Sequence, residues 1–281
     1  MNKNIFIIGG RSNLSRSLKR IIPEAVIIYS NDIKDLSSLL KKAEKSSIIY
    51  NVCYKSTLLK KRDSPQAYAK YSFEFLTQFV SICLESEKLI DKVIFSSSSA
   101  VYGETLNAIE TDRPDIRNLY ASLKYSSELF IQEHLARTSI KLQITRIFNM
   151  YAGFDEFSVV SAVEKAISEK KYFSLINKGE SIRDFIHISD VVEIYRRLLL
   201  ADTSAVVNIA SGTKTTISDL IEIAEAAFKT KLLTTDMKRE EIAYSCASTD
   251  QLFSVIGNMD FISINQYFDG AYNKIKDGDF S

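Results

Sequence analysis

Short, almost wholly apolar runs, each closed by a turn and followed by a helical stretch, most constrain what this chain can fold into. Asn4-Ile5-Phe6-Ile7-Ile8, Ala25-Val26-Ile27-Ile28-Tyr29, Ile48-Ile49-Tyr50-Asn51-Val52-Cys53 and Val93-Ile94-Phe95 are such runs, and Lys141 to Asn149 reads as the next strand. A strand that is apolar on both faces must be covered on both, which a parallel sheet between helical layers provides. Strands alternating with helices therefore predict an α/β fold with a doubly wound parallel sheet. The first helix, Arg11 to Ile22, turns Leu14, Leu18, Ile21 and Ile22 inward, and a short one runs from Asp32 to Ala43. A long helix from about Gln66 to Glu87 turns Phe73, Leu76, Phe79, Val80 and Cys83 inward. Its other side carries Tyr68, Tyr71 and Phe75, a wide apolar girth that suggests a homodimer.

Beyond Asn149 the pattern changes. Phe157 to Lys170 is an amphipathic helix, and 172–176 with 179–186 reads as a hairpin-like pair. A helix from Ile188 to Leu200, a strand at Val206–Ala210 and a helix from Thr216 to Phe228 follow. The expected division is a dinucleotide-binding domain over 1–170, completed by about 185–210. Residues 171–184 and 211–281 form a small substrate-binding lobe over the carboxyl ends of the strands, where such sheets bind ligand.

Composition removes several function classes. The formal net charge of +1 gives no electrostatic case for nucleic acid or a membrane surface. No apolar run approaches a bilayer span, and the start is too soon interrupted by Gly9-Gly10 for a signal peptide. Three widely spaced cysteines and two histidines suggest neither a disulfide framework nor a metal site. The expected setting is the cytoplasm.

Two stretches carry chemistry. The first is the strand ending in Gly9-Gly10 and opening into a helix, an arrangement that presents helix amides to a diphosphate. The usual fingerprint has three glycines; here Ser12 and Ser15 stand where further glycines are expected. Ser30 ends the second strand, where NAD sites often hold a ribose with a carboxylate. Arg11 and Lys34 could face a 2′-phosphate instead, which favours NADP(H), with NAD(H) as the alternative. The second stretch is Tyr120-Ala121-Ser122-Leu123-Lys124. Residues four apart share a helix face, and an ammonium beside a phenol favours the phenolate. Such a tyrosine can exchange a proton with a substrate oxygen near neutral pH. The strand end Ser96-Ser97-Ser98-Ser99 can add a hydrogen bond to that oxygen.

Taken together, the glycine turn, Phe95 to Gly103, Tyr120-x-x-x-Lys124, Arg146 to Tyr151, Arg183 to Asp190 and Asn208 to Gly212 resemble the extended short-chain dehydrogenases/reductases, the nucleotide-sugar epimerase, dehydratase and reductase group. The resemblance implies a Rossmann domain and makes Ser98, Tyr120 and Lys124 the catalytic group. It implies a nucleotide-diphosphate sugar as substrate, touched by Ser98, Ser99, Asn149 and Arg183. In the alternative, Asn149 is a loop cap and Arg183 pairs with Asp184. The implied cofactor contacts start with Gly9, Arg11, Ser12, Asn13 and Leu14 in the first turn. Ser30, Asp32 and Ile33 follow the second strand, and Val52, Cys53 and Tyr54 follow the third. Tyr71, Ser96, Tyr120, Lys124 and Phe148 complete them. His187 falls at a structural position of the family.

Within the group, the dehydratases carry an acidic pair after the catalytic hydroxyl, whereas Ser99 and Ala100 follow Ser98 here. The first turn and the short route from the second strand are similar to those of the NADPH-using 4-keto reductases, GDP-fucose synthase and dTDP-4-dehydrorhamnose reductase. The expectation is reduction of a nucleotide-linked 4-keto-6-deoxy sugar for surface polysaccharide. The runners-up are a C4 epimerase holding NAD and a non-catalytic cofactor-binding protein.

Overall fold

A computed structural model of the chain describes residues 4–52 and 65–276. Its strands are β1 (Asn4–Ile8), β2 (Val26–Ile28), β3 (Ser46–Tyr50), β4 (Ile90–Ser98), β5 (Thr105–Ala108), β6 (Lys141–Ile147), β7 (Asn149–Tyr151), β8 (Phe173–Ile176), β9 (Ile182–His187), β10 (Ala205–Ile209), β11 (Lys214–Thr216), β12 (Thr234–Met237) and β13 (Tyr244–Ala247). Its helices are α1 (Asn13–Ile21), α2 (Asp35–Leu40), α3 (Pro65–Glu85), α4 (Leu119–Leu135), α5 (Val159–Ser168), α6 (Ile188–Leu200), α7 (Ile217–Phe228), α8 (Asp250–Ile256) and α9 (Ile264–Lys276).

The main sheet is wholly parallel, in the order β10-β6-β4-β3-β1-β2. The chain lays β2 on one side of β1 and β3 on the other. The switch point therefore lies between β1 and β3, and a crevice opens at their carboxyl ends. Ile7, Ile49, Ile94 and Val207 pack with Leu14 and Leu18 of α1 and Val191, Ile194 and Leu198 of α6. Phe6, Ile8, Ile48, Val93 and Phe95 pack on the opposite face with Leu36 of α2, Leu76 and Phe79 of α3 and Ile131 of α4. Each such side chain contributes about 1.5–3 kcal/mol by leaving water, so the doubly wound reading of the apolar runs holds. The buried Lys92 caps the end of α6, donating to the carbonyls of Leu198 (2.8 Å) and Leu199 (3.0 Å).

Local differences from the sequence reading have local causes. α1 starts at Asn13, capped by Ser12, and Ser15 is fully buried beside Leu14. That centres the buried face away from Ile21, which is 57% exposed rather than inward. On α3, Tyr68 is buried and Phe75 is half-buried against the core, so neither stands on an open face.

The lobe is built differently from expectation. The hairpin of 172–176 with 179–186 does not form. β8 pairs in parallel with β12, while β9 joins β7, β11 and β13. Asn177 and Lys178 hold φ of +46° and +56° in a 3₁₀ turn. The Ser218 hydroxyl binds the carbonyls of Lys178 and Gly179 at 3.0 and 3.1 Å, which sends the chain into the other sheet. That sheet, β11-β9-β13-β5 with β7 beside β9, also takes two short strands from the expected first domain. No helix among the described residues is long and apolar enough to cross a membrane.

Candidate active site

A cleft of about 630 Å³ opens where the ends of the parallel strands meet the lobe. Ser12, Asn13, Leu14 and Asn51 line its switch-point side, and Ser96, Ser97, Ser98, Tyr120 and Lys124 its middle. Phe148, Asn149, Arg183, Arg239 and Glu241 are among the residues on the lobe side.

The serines at the end of β4 do three different things. Ser96 accepts from Lys124 Nζ on its carbonyl at 2.8 Å, while its hydroxyl meets Tyr195 OH at 2.7 Å. Ser97 points to the opposite face and donates to Glu128 Oε1 in a short hydrogen bond. Ser98 accepts from the Ala100 amide at 3.2 Å, capping the 3₁₀ turn of 99–102. Its own hydroxyl hydrogen is left for an oxygen in the cleft. Ser99 stands in that turn and is not among the cleft residues.

Helix α4 supplies the facing group. Asn118 caps it by accepting from the Ala121 amide at 2.9 Å. Tyr120, Lys124 and Glu128 then follow at four-residue spacing on one stripe. Tyr120 is half-buried at the cleft, and Lys124 and Glu128 are buried. Glu128 receives Arg146 Nη2 at 2.8 Å and Nε at 3.2 Å. Arg146 also donates to Tyr102 OH at 2.8 Å, and Tyr102 to Asn208 Oδ1 at 2.7 Å. Burial alone would weaken the Arg146 charge; Glu128 beside it holds the guanidinium protonated. This satisfied network braces the strand and helix that carry Ser98 and Tyr120.

The switch-point side has the shape of a dinucleotide cradle. Gly9 holds φ +99°, and a Cβ there would lie 2.3 Å from the Asn51 carbonyl oxygen. A Cβ on Gly10 would lie 2.3 Å from Ile27 Cγ2. Only glycine permits this turn so close to β3 and β2. Asn13 is tied to the loop after β7, donating to Ala152 O and accepting from Phe154 N, both at 2.9 Å. The Arg11 guanidinium lies 5.8 Å from the centre of the Tyr29 ring. Ser30 is half-buried and Asp32 exposed at the end of β2. Ile33 is 1% exposed, so its side chain packs in the core and does not face the cleft. Val52 lines a small cavity beside Tyr120 and Lys124. Cys53 and Tyr54 lie outside the described residues, as does the side chain of Tyr71.

On the lobe side, Asn149 donates to the Asp184 carbonyl at 3.0 Å. Arg183 donates to Ile242 O at 2.7 Å and lies 3.5 Å from Glu241. Its carboxylate partner is thus Glu241 and not Asp184. The Asp184 carboxylate instead receives Ser211 N, Ser211 Oγ and Gly212 N at 2.8–3.0 Å, and burial pushes it up to about 6. His187 caps α6 by accepting from Ser189 N at 3.2 Å and packs on Tyr151, so it is structural here. The sequence reading missed Asn51, Arg239 and Glu241. Asn51 falls inside the third apolar run, and the stretch that holds Arg239 and Glu241 carries no signal beyond its place in the lobe.

A switch-point cleft with a glycine turn and a serine–tyrosine–lysine group at its mouth defines a Rossmann-type α/β protein of the epimerase/dehydratase class. The model of the NAD dependent epimerase/dehydratase family matches residues 5–210, and the chain belongs to that family. UDP-glucuronic acid decarboxylase 6 of Arabidopsis thaliana is 26% identical over 148 residues, 49% of this chain and 43% of that one. The chain spans about half the length of the curated relatives it matches first. The structure of MoeE5 in complex with UDP-glucuronic acid and NAD has a TM-score of 0.86 at 17% identity, covering 98% of this chain and 99% of that one. RMD from Pseudomonas aeruginosa complexed with NADPH has a TM-score of 0.83 at 19% identity, covering 99% and 100%. At these identities the two structures establish the shared fold.

Proposed function

We propose that the chain is an NADPH-dependent reductase of the C4 keto group of a nucleotide-linked 4-keto-6-deoxy sugar, serving surface-polysaccharide biosynthesis. The observation that carries the choice is the end of β2, where Ser30 replaces a carboxylate and Arg11 stands over Tyr29. An edge with Arg11 beside it and no acid at position 30, the nearest carboxylate being Asp32 two residues on, suits a 2′-phosphate better than bare ribose hydroxyls. The dinucleotide, when bound, supplies the hydride to C4. Tyr120 delivers the proton to the C4 oxygen, so that the carbonyl becomes a hydroxyl. Ser98 donates a hydrogen bond to the same oxygen. Lys124 stands one helical turn from Tyr120, anchored on Ser96. Arg183, Arg239 and Asn149 would hold the substrate's diphosphate. A homodimer built on α3 and α4 belongs to the same proposal, supported by Leu84 and Leu129, which are 42% and 49% exposed on those helices.

A second reading, a C4 epimerase with tightly held NAD, is favoured by the same Ser98, Tyr120 and Lys124 and by a neighbour solved with a UDP-sugar and NAD. The two are separated by denaturing the purified protein, identifying any released nucleotide, and measuring NADPH and NADH affinity on the emptied protein. The reductase reading expects no stoichiometric nucleotide, tighter NADPH and turnover of a 4-keto nucleotide sugar. Stoichiometric NAD would select the epimerase. Binding of a dinucleotide without binding of any nucleotide sugar would select a non-catalytic protein.

A further inference from the structure

We infer that Asn51 positions the dinucleotide diphosphate, acting through the hydroxyls of Ser12 and Ser15. A hydrogen-bonded cluster thereby does what the second and third glycines of the usual fingerprint do by leaving room. The inference rests on the reading of the switch-point side as the dinucleotide site.

Asn51 follows β3 directly, is 7% exposed and lines the cleft. Its backbone is locked to β1, with its amide on Ile8 O at 2.9 Å and its carbonyl against Gly9. Its side-chain amide donates to Ser12 Oγ at 2.6 Å and to Ser15 Oγ at 2.9 Å, which uses both of its hydrogens. Ser12 Oγ also receives the Ser15 amide at 3.0 Å as the cap of α1. Both acceptor positions of the Ser12 oxygen are therefore filled, and its one hydrogen must point outward. It reaches Ser15 Oγ, 3.0 Å away, or the cleft that Ser12 itself lines.

This wiring makes Ser12 a donor held ready for an anion. A diphosphate oxygen is a stronger acceptor than the Ser15 hydroxyl, and Ser15 keeps its bond to Asn51 when the Ser12 hydrogen turns away. With three glycines, phosphate approaches the backbone directly. Here two serine side chains occupy that space, and without Asn51 the fully buried Ser15 hydroxyl would compete for the Ser12 hydrogen. Asn51 is thus a positioning residue whose amide frees the donor, and its effect is read in dinucleotide affinity.

The test titrates the full chain with NADPH and NADH and records the thermal midpoint of each variant. Asn51→Leu and Ser12→Gly alone each weaken both dinucleotides by about tenfold, the loss of one charge-assisted hydrogen bond. The combined variant S12G/S15G/N51L, which restores an all-glycine turn, recovers most of the affinity despite carrying both damaging changes. A merely structural Asn51 would lower the midpoint and leave the affinity of the folded protein unchanged. The inference is overturned by folded N51L or S12G protein that binds like wild type, or by a folded combined variant no tighter than N51L. If wild type itself binds neither dinucleotide, the reading of the site falls and the inference with it.

Discussion

The Lys124 ammonium donates to the Ser96 carbonyl at 2.8 Å, fastening the helix that bears Tyr120 to the strand that ends in Ser98. The bond reconciles two needs. A lysine 7% exposed requires a partner for its hydrogens, and the proposed acid/base role of Tyr120 requires a fixed distance from the Ser98 hydroxyl proposed to share its substrate oxygen. One interaction satisfies both, because Ser96 and Ser98 belong to the same rigid strand.

Removing the tyrosine oxygen tests the proposed proton transfer. Tyr120→Phe should lower kcat on the 4-keto substrate by about 10²–10⁴-fold, the usual size of a positioned acid/base contribution. Nucleotide-sugar affinity, measured by calorimetry, should be nearly unchanged. Full activity in this variant would remove Tyr120 from the chemistry.

Behind the site, the Glu128–Arg146 pair predicts a stability asymmetry. Glu128→Gln leaves the Arg146 guanidinium buried without its counter-charge and should cost about 3–5 kcal/mol. Replacing both together, as Glu128→Leu with Arg146→Met, should cost less than the sum of the single changes, because no orphan charge remains. Urea unfolding of Glu128→Leu, Arg146→Met and the double variant, each against wild type, gives the cycle. An additive result would mean that the pair is not coupled.

Much of this architecture was legible because its determinants are local. β1 and α6 fell where their apolar period and polar ends put them, and α7 started where the Thr216 hydroxyl was available as a cap, which the structure completes into a capping box with Asp219. β5 and β7 were not legible. Each is only a few residues long, and each is a strand because β13 or β9 lies beside it. The site divided the same way. Tyr120, Lys124 and Ser98, the proposed catalytic group, sit at spacings that their proposed chemistry dictates, so a pattern picks them out. Asn51 enters the proposed cradle only because Ser12 and Ser15, 39 and 36 positions away, turn toward it. Arg239 and Glu241 reach the cleft only through the fold of the lobe.

Gly9→Ala should damage the cradle more than its size suggests. The new methyl would need to occupy space 2.3 Å from the Asn51 oxygen, at a φ of +99° that L-residues rarely adopt. Backbone strain of this kind costs about 1–3 kcal/mol, and the contact forces β1 and β3 apart where the crevice opens. The expected outcome is folded protein with a lowered thermal midpoint and no measurable dinucleotide binding. Wild-type affinity in G9A would place the dinucleotide elsewhere.

The cap of α6 predicts a pH dependence with a definite sign. Burial, assisted by Lys274, pushes His187 from 6.5 down to about 4, and its neutral Nδ1 accepts from Ser189 N. Between these two values the unfolded chain binds a proton there and the folded chain does not. Stability therefore rises with pH across the window and is lost as pH falls from about 6.5 toward 4. The slope from one proton is at most about 1.4 kcal/mol per pH unit. Asp184 works in the opposite direction: burial raises it to about 6, so the folded protein takes up its proton first and gains stability on acidification. Comparing wild type with His187→Asn, which keeps a capping oxygen, separates the two, since Asp184 contributes equally to both. Urea midpoints taken from pH 7 to pH 4 should fall more steeply for wild type than for H187N. Parallel curves would mean that His187 takes up its proton as readily in the folded as in the unfolded chain, so that losing the Nδ1 acceptor for Ser189 N carries no cost.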